Sequence, residues 1–324
     1  KEYLKELEDA GVTAVIAASP SIMKLAKETA PKLEVHCSTQ MSVTNAAAAV
    51  FLHEKLGIDR VVLARECTMD EVRAVVRSCP VETEAFIHGG MCVNYSGRCT
   101  LSNRMTLRDA NRGGCAQSCR WSYHLYDENR EISEPGMMFT MGSKDMCAFG
   151  QIRGLIEAGV ASFKIEGRMK TEYYVASIVS AYRHLIDEIC EQEELSEERM
   201  AYHRSEILKG ENRETCPGFY TGVQGAGIIN HPNSNADVNH GFLATVVSYD
   251  DASHTAVIET RNPIDLNMNI EVMEPGISNR TFILQSMKNE DGEYMEVSRV
   301  PMRHITVPVP FEVRQGDILR KADL

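Results

Sequence analysis

Residues 84–121 read EAFIHGGMCVNYSGRCTLSNRMTLRDANRGGCAQSCRW, an apolar, strand-like run that leads into a loop rich in glycine and arginine. The loop carries Cys92, Cys99, Cys115 and Cys119, which are separated by six, fifteen and three residues. A fifth cysteine, Cys147, follows in the segment SKDMC. Thiolates brought together by such loops are the usual ligands of zinc ions and iron–sulfur clusters. We therefore expect four of these five cysteines to hold a metal centre.

The cysteine spacing discriminates between the two kinds of centre. Zinc sites usually contain two closely spaced cysteine pairs, and only Cys115 and Cys119 have that spacing. An iron–sulfur cluster tolerates wider, irregular spacing. The spacing favours the cluster, keeps zinc as the alternative, and leaves open whether Cys119 or Cys147 is the fourth ligand. A disulfide framework is a third interpretation of the ten cysteines, but a chain of this size does not need one.

Length and composition are those of an ordinary globular protein. The 324 residues are 43% apolar and 25% charged, which is enough to form two domain cores. No apolar run approaches the roughly 18 residues that a membrane span needs, and no secretory signal opens the sequence. We therefore expect a cytoplasmic protein with no membrane partner.

The charge is unevenly distributed. The chain has a net charge of −12, which by itself argues against a nucleic-acid partner. The window from Met91 to Arg120, however, contains five arginines and one acid, so it carries +4 against −16 for the rest of the chain. Such a basic patch can bind a polyanion selectively. The alternative is that these arginines are merely solvated or paired with nearby carboxylates.

Strands and helices alternate before and after the loop. Apolar, strand-like runs lie at 14–18, 33–37, 60–64, 82–88 and 161–165, with helices predicted between the first four. Strands rich in Val, Ile and Leu that alternate with helices are typical of a parallel sheet covered on both faces. These strands end in polar residues, the position that lines the active site of (β/α)₈ barrels. The pattern predicts an α/β fold with a TIM-barrel-like domain.

We expect this barrel to be incomplete on its N-terminal side. Five strand–helix units are visible where a barrel has eight. The opening residues KEYLKELEDAGV lack an initiator Met and have the apolar spacing of an amphipathic helix. We therefore expect about three units to precede Lys1, or the sheet to be open.

The remaining pattern predicts two domains. A long helix over 171–194 is expected to close the barrel, so that the first domain comprises residues 1–212 with a cysteine-rich insertion at 89–147. From residue 213 onward the sequence changes to short alternating strands separated by turns. Strands at this spacing predict a small β-barrel or sandwich over 213–324.

Polar and titratable side chains near the predicted strand ends are the candidates for chemistry. Catalytic roles are predicted for Glu66, Glu84, His88, Lys164 and Glu166. Substrate binding is predicted for His36, Gln40, Arg65 and Arg168 near strand ends and for Arg98 and Arg112 in the loop. Because side chains alternate along a strand, Glu84 and His88 should share one face. The alternative for the charged groups is a self-satisfied salt-bridge cluster at the rim.

Several long segments together identify a family. The segments FIHGGMCVNYSGRCTLSN, NRGGCAQSCRW, SKDMC and SFKIEGRMK closely resemble the collagenase-like peptidase family U32. The similarity extends upstream through VHCSTQMSVTN and RVVLARE and downstream through GFYTG. The appended β-domain and GFYTG make the chain most similar to the tRNA uridine hydroxylase branch. Family members begin with further β/α units that this sequence lacks, which agrees with the incomplete barrel.

The resemblance implies an activity and its cofactors. It implies 5-hydroxylation of the wobble uridine of tRNA, with prephenate as co-substrate and a 4Fe-4S cluster near the reacting base. It further implies Cys92, Cys99 and Cys115 as cluster ligands, with Cys119 or Cys147 completing the set. The expected partners are therefore tRNA and prephenate.

Two other function classes compete. The first is a collagenase-like peptidase, although no nucleophile with an oriented histidine can be assigned and the chain lacks GxSxG, HExxH and P-loop motifs. The second is a non-catalytic RNA-binding or assembly module, in which the cysteines only hold the loop together.

Overall fold

The computed structural model describes residues 1–134, 138–192, 194–211, 213–223, 225–229, 241–275 and 279–322. Its contacts divide the chain into two compact units. The first comprises Lys1–Met169, Ile186–Glu194 and Arg213–Ala236, and the second comprises Lys170–Leu185, Leu195–Asn212 and Asp237–Leu324. None of the described helices combines the length and the apolar character that crossing a bilayer requires.

The first unit begins with alternating helices and strands. Its strands are β1 (Ala14–Ala17), β2 (Glu34–Cys37), β3 (Arg60–Val62), β4 (Glu82–Gly89), β5 (Tyr126–Asp127), β6 (Arg130–Glu131), β7 (Asp145–Cys147), β8 (Ser162–Ile165) and β9 (Thr215–Cys216). Its helices are α1 (Glu2–Asp9), α2 (Pro20–Thr29), α3 (Ala46–Leu56), α4 (Met69–Ser78), α5 (Leu101–Thr106) and α6 (Ile152–Ala158). Local signals set the helix starts, since Asn45 caps α3 and Thr68 forms a capping box with Glu71 in α4.

Parallel strands form most of the sheet in this unit. β1, β2, β3, β4 and β8 lie side by side in that order, as consecutive β/α units do. β7 pairs antiparallel with the end of β4, where His88 lies opposite Cys147, and β9 pairs with β7. The predicted α/β fold is confirmed. Among the described residues β1 and β8 do not pair with each other, so closure into a TIM barrel stays a prediction.

The second unit contains an antiparallel sheet. Its strands are β10 (Phe242–Asp250), β11 (Thr255–Thr260), β12 (Ile264–Asp265), β13 (Asn269–Met273), β14 (Arg280–Ile283), β15 (Met287–Lys288), β16 (Tyr294–Met295), β17 (Val297–Ser298), β18 (His304–Pro308) and β19 (Ile318–Lys321). The main sheet has the order β14-β13-β19-β10-β11-β18-β15-β16. Val246 of β10, Phe282 of β14 and Met287 of β15 share one buried core, so the sheet curls around it. The predicted C-terminal β-structure is present as this curled sheet.

The two long helices belong largely to the second unit, whereas the sequence predicts them in the first domain. The helix predicted over 171–194 is α7 (Glu172–Glu191), and its first part, to Leu185, belongs to the second unit. The following helix, α8 (Glu197–Gly210), belongs there as well. Stacking of Tyr173 on Phe242, with ring centroids 5.1 Å apart, explains the position of α7. The predicted boundary between 212 and 213 falls at Asn212, which lies outside the described residues.

Candidate functional site

The cysteine-rich loop leaves β4, returns through β7, and rests on the ends of neighbouring strands. Glu66, which follows β3, accepts hydrogen bonds at its Oε1 from the backbone N–H of Ser96 at 2.9 Å and from the Ser96 hydroxyl at 3.2 Å. After β2, the hydroxyl of Ser42 donates to the Ser96 carbonyl at 2.6 Å. The side-chain amide of Gln40 donates to the carbonyl of Ala110 at 3.3 Å. These contacts fix the loop over β2 and β3.

A second set of contacts fixes the loop at the end of β8. The carboxylate of Glu166 accepts from the N–H groups of Gly90 at 3.4 Å and Arg168 at 3.3 Å. The guanidinium of Arg168 donates to the Gly113 carbonyl at 3.0 Å. A Cβ on Gly89 would lie 2.3 Å from the carbonyl oxygen of Glu166, so only glycine permits this approach. Gln40, Glu66, Glu166 and Arg168, predicted as catalytic or substrate-binding residues, therefore all hold the loop in place.

The four loop cysteines lie together. The Cys119 thiol interacts electrostatically with those of Cys92, Cys115 and Cys99, and Cys92 interacts with Cys99 and Cys115. Cys147 is buried in β7, opposite His88. The structure thus groups Cys119 with Cys92, Cys99 and Cys115, and it places Cys147 in the sheet.

Hydrogen bonds and charges around these sulfurs suit thiolate ligands. The side-chain amide of Asn94 donates to the Cys99 sulfur and the backbone N–H of Gln117 donates to the Cys115 sulfur, both at 3.4 Å. Burial raises the pKa of the Cys92 thiol, while the guanidinium of Arg65 acts in the opposite direction. N–H donors and a nearby cation both stabilise a coordinated thiolate.

Arg65 lies beside this group of cysteines. Its guanidinium carbon is 3.8 Å from the ring centroid of Phe86, in β4. The hydroxyl of Tyr220, from the GFYTG segment, donates to the Phe86 carbonyl at 2.7 Å and fixes that part of the strand. Cys92, Glu166, Glu66 and Tyr220 all lie within electrostatic range of the guanidinium. The site therefore contains a half-buried cation on an aromatic ring next to the thiols.

Glu84 and Lys164 form an ion pair inside the sheet. The Lys164 ammonium lies 2.7 Å from Glu84 Oε1, and Oε2 accepts from the hydroxyl of Ser162 at 3.0 Å. Burial alone would raise the pKa of Glu84, but Lys164, Ser162 and the Arg60 charge outweigh it and the pKa is lowered. The carboxylate is thus held ionised, which suits a fixed charge better than proton transfer.

His88 is not placed as regular alternation predicts. β4 contains a bulge between Phe86 and His88 in its pairing with β8. A bulge adds a residue and shifts the alternation, so the expected common face of Glu84 and His88 does not hold. His88 is buried, with 2% exposure, beside β7.

The other predicted binding residues lie on β2 and on the surface of the loop. His36 is buried on β2 and its Nε2 is 2.9 Å from the carboxylate of Glu34. Arg98 and Arg112 are exposed on the loop. The sequence-based predictions did not include Phe86, Tyr220, Asn94 and Ser96, although all four lie in the family segments FIHGGMCVNYSGRCTLSN and GFYTG.

Comparison with known proteins identifies the family of both parts of the chain. Residues 1–230 match peptidase family U32, and residues 238–320 match the peptidase family U32 C-terminal domain. The tRNA hydroxylation protein P1 of Bacillus subtilis is 37% identical over 99% of this chain and 77% of its own length. The 23S rRNA 5-hydroxycytidine C2501 synthase of Escherichia coli is 40% identical over 59% of this chain and 29% of its own length.

A relative with a different name matches as broadly. The Collagenase of Porphyromonas gingivalis is 29% identical over 100% of this chain and 80% of its own length. The two family matches and the B. subtilis relative agree with the resemblance seen in the cysteine-rich segments. The chain belongs to peptidase family U32.

Proposed function

We propose that this chain is an enzyme that hydroxylates RNA, and that its substrate is the wobble uridine of tRNA, modified at carbon 5 with prephenate as the oxygen source. Relatives named for tRNA hydroxylation and for rRNA hydroxycytidine synthesis support an RNA-directed enzyme. The observation that carries the proposal is the grouping of four loop cysteines next to Arg65 over the strand ends. We further propose a cytoplasmic location, where tRNA is the available polyanion.

We propose an iron–sulfur cluster rather than zinc at the four loop cysteines. A tetrahedral zinc site with Zn–S bonds of about 2.3 Å brings its sulfurs within about 4 Å of one another. In the described part of the chain, no three of these sulfurs lie within 4.8 Å of one another. We propose that Cys92, Cys99, Cys115 and Cys119 hold a 4Fe-4S cluster. When bound, such a cluster would supply one-electron chemistry at this edge of the sheet.

The protein's own side chains would bind and orient the substrates. The loop exposes four arginines that can contact phosphates: Arg98, Arg104, Arg108 and Arg112. Arg120 is not free for this, because it bonds Asp145 at 3.0 Å. The target uridine must leave its stack to approach the strand ends. We keep His88 as the proposed proton carrier and assign Glu66 and Glu166 to positioning the loop.

A complementation experiment tests this function. A strain deleted for the gene should lack 5-hydroxyuridine derivatives in its tRNA nucleosides, and the complete gene should restore them. Cys115→Ser should abolish restoration, whereas Cys190→Ser, an exposed cysteine of α7, should leave it intact. A complemented strain without these nucleosides would refute the proposal. Full modification by a variant with serine at all four loop cysteines would favour the non-catalytic role of those cysteines.

Peptidase activity is the second candidate, because one relative is named Collagenase. The geometry gives this activity little support, because the Cys147 sulfur, which lies within 4.8 Å of a His88 ring nitrogen, is buried and poorly accessible to a polypeptide. We expect anaerobically purified protein to leave gelatin intact. Gelatin cleavage that Cys147→Ser abolishes would reverse the order of the two candidates.

A further inference from the structure

Arg65 is a half-buried cation whose hydrogen-bonding capacity is unused. Its guanidinium packs over Phe86 at 3.8 Å. Among the described residues it makes no hydrogen bond and no ion pair, although a guanidinium has five N–H donors. Other arginines near the sheet do have acceptors: Arg60 bonds Glu82, Arg120 bonds Asp145 and Arg168 bonds the Gly113 carbonyl.

The nearby acids do not satisfy this cation. Glu66 and Glu166 are within electrostatic range of Arg65, but none of their oxygens approaches to ion-pair distance. Glu66 is turned toward Ser96 and Glu166 toward Gly90, where each holds the loop. Arg65 is half-buried and its guanidinium nitrogens keep some solvent access, so an incoming anion can reach them, and a partly desolvated cation attracts an anion more strongly than a fully hydrated one does. The arrangement therefore points to an anionic ligand.

The shape of the site indicates the kind of anion. The guanidinium packs over the Phe86 ring, 3.8 Å from its centroid, and a guanidinium fork has two parallel N–H groups that can bind a carboxylate bidentately. The half-buried position under the loop favours a small ligand, whereas the exposed loop arginines are accessible to the phosphates of an RNA chain. Cys92 is among the neighbours of Arg65, so the ligand would lie next to the proposed cluster.

We propose that Arg65, supported by Phe86, anchors the carboxylate of a small organic acid at this site. This inference rests on the proposed function, in which the acid is prephenate. Prephenate binding can be measured without turnover, so a failure of this proposal can be distinguished from a failure of the proposed hydroxylation. The experiment is a calorimetric titration of anaerobically purified protein, once with prephenate and once with a tRNA anticodon stem–loop. It is carried out on the wild type and on the variants Arg65→Gln, Arg65→Lys and Phe86→Leu. Arg77→Gln, an exposed position on α4, is the matched charge control.

Arg65→Gln should weaken prephenate binding at least about tenfold and leave stem–loop binding within about twofold. Arg65→Lys should recover only part of the affinity, because it keeps the charge and loses the fork, and Arg77→Gln should bind as the wild type does. Phe86→Leu should weaken binding while retaining the guanidinium. The proposal is overturned if Arg65→Gln has the wild-type melting temperature and binds prephenate normally. It is also overturned if Arg65→Gln loses only stem–loop binding, because Arg65 would then contact an RNA phosphate. Absence of prephenate binding to the wild type would also overturn the proposal. In that case the analysis of tRNA nucleosides still shows whether the chain hydroxylates tRNA.

Discussion

Gly97 determines where the cysteine-rich loop lies. Its φ of 73° is in the left-handed region, and a Cβ there would lie 1.8 Å from the carbonyl oxygen of Gln40. The clash is with backbone, so no rotamer change relieves it. Glycine at this position is what allows the loop to rest directly on the end of β2.

Gly97→Ala should therefore displace the loop and sharply reduce the iron and sulfide bound per chain. Gly11→Ala is the matched control, because Gly11 has a φ of 78° and no atom within 4 Å of its would-be Cβ. Both variants carry the backbone strain, about 1 kcal/mol or somewhat more, but only the first carries the clash. Iron analysis measures the effect of displacing the loop, and the melting temperature measures the loss of stability. Equal iron content in the two variants would contradict the docking geometry.

The cysteines of the site could be predicted from spacing, but their surroundings could not. Ser96 bonds Glu66 from 30 residues away, and no periodicity in the sequence fixes the path of the intervening loop. The prediction from strand alternation was wrong for His88, because the bulge in β4 has no clear signature in the sequence IHGG. Arg65 was predicted as a binding residue, yet its support by Phe86 became visible only with the two strands in register.

Buried charges attach α8 to the sheet of the second unit. Arg320, 1% exposed, bonds Glu271 at 2.5 Å and Glu206 at 2.6 Å. Lys209 bonds the same two carboxylates, Glu206 at 2.7 Å and Glu271 at 3.2 Å. Two positive and two negative charges thus neutralise one another, and removing one leaves the others uncompensated in a poorly hydrated place.

Arg320→Met should lower the free energy of unfolding by about 3–5 kcal/mol, measured by urea unfolding followed by circular dichroism. Arg299→Met is the control, because Arg299 is 68% exposed and its pair with Asp265 spans 3.5 Å. This variant should lower the free energy of unfolding by less than about 1 kcal/mol. Similar costs for the two variants would show that the buried network contributes no more than a surface pair.

The same network predicts a pH dependence. Burial alone would raise the pKa of Glu206, but Arg320 and Lys209 outweigh it, so the pKa is lowered on folding. The resulting stabilisation is complete above the unfolded pKa of about 4.3 and is lost as the pH falls through the lower folded value. Arg320→Met should reduce this loss, and an unchanged acid dependence in that variant would argue against the network as its source.

Elements with strong local signals could be predicted, whereas the placement of α8 could not. α3 and α4 carry their own caps at Asn45 and Thr68, so their starts follow from nearby residues. α8 is rich in charged residues, which suggest a solvated linker helix. Glu206 and Lys209 pair with each other within α8, but their long-range partners, Glu271 in β13 and Arg320 in β19, are not revealed by the sequence alone.

For the molecule as a whole, the uneven charge and the family membership support one account. An acidic chain of net charge −12 has its basic window on the same loop that gathers four cysteines. That loop lies on the ends of parallel strands, beside an arginine whose donors are unused within the described residues. RNA, a small carboxylate and a redox centre are thereby proposed to meet at one edge of the sheet.

Anaerobic hydroxylation of unmodified tRNA by the purified, cluster-containing protein tests this account most directly. Mass spectrometry of the digested tRNA should show one added oxygen on the wobble uridine when prephenate is present and none when it is omitted. Cys115→Ser protein is the control for the cluster. Absence of hydroxylation with prephenate, or equal hydroxylation without it, would contradict the account.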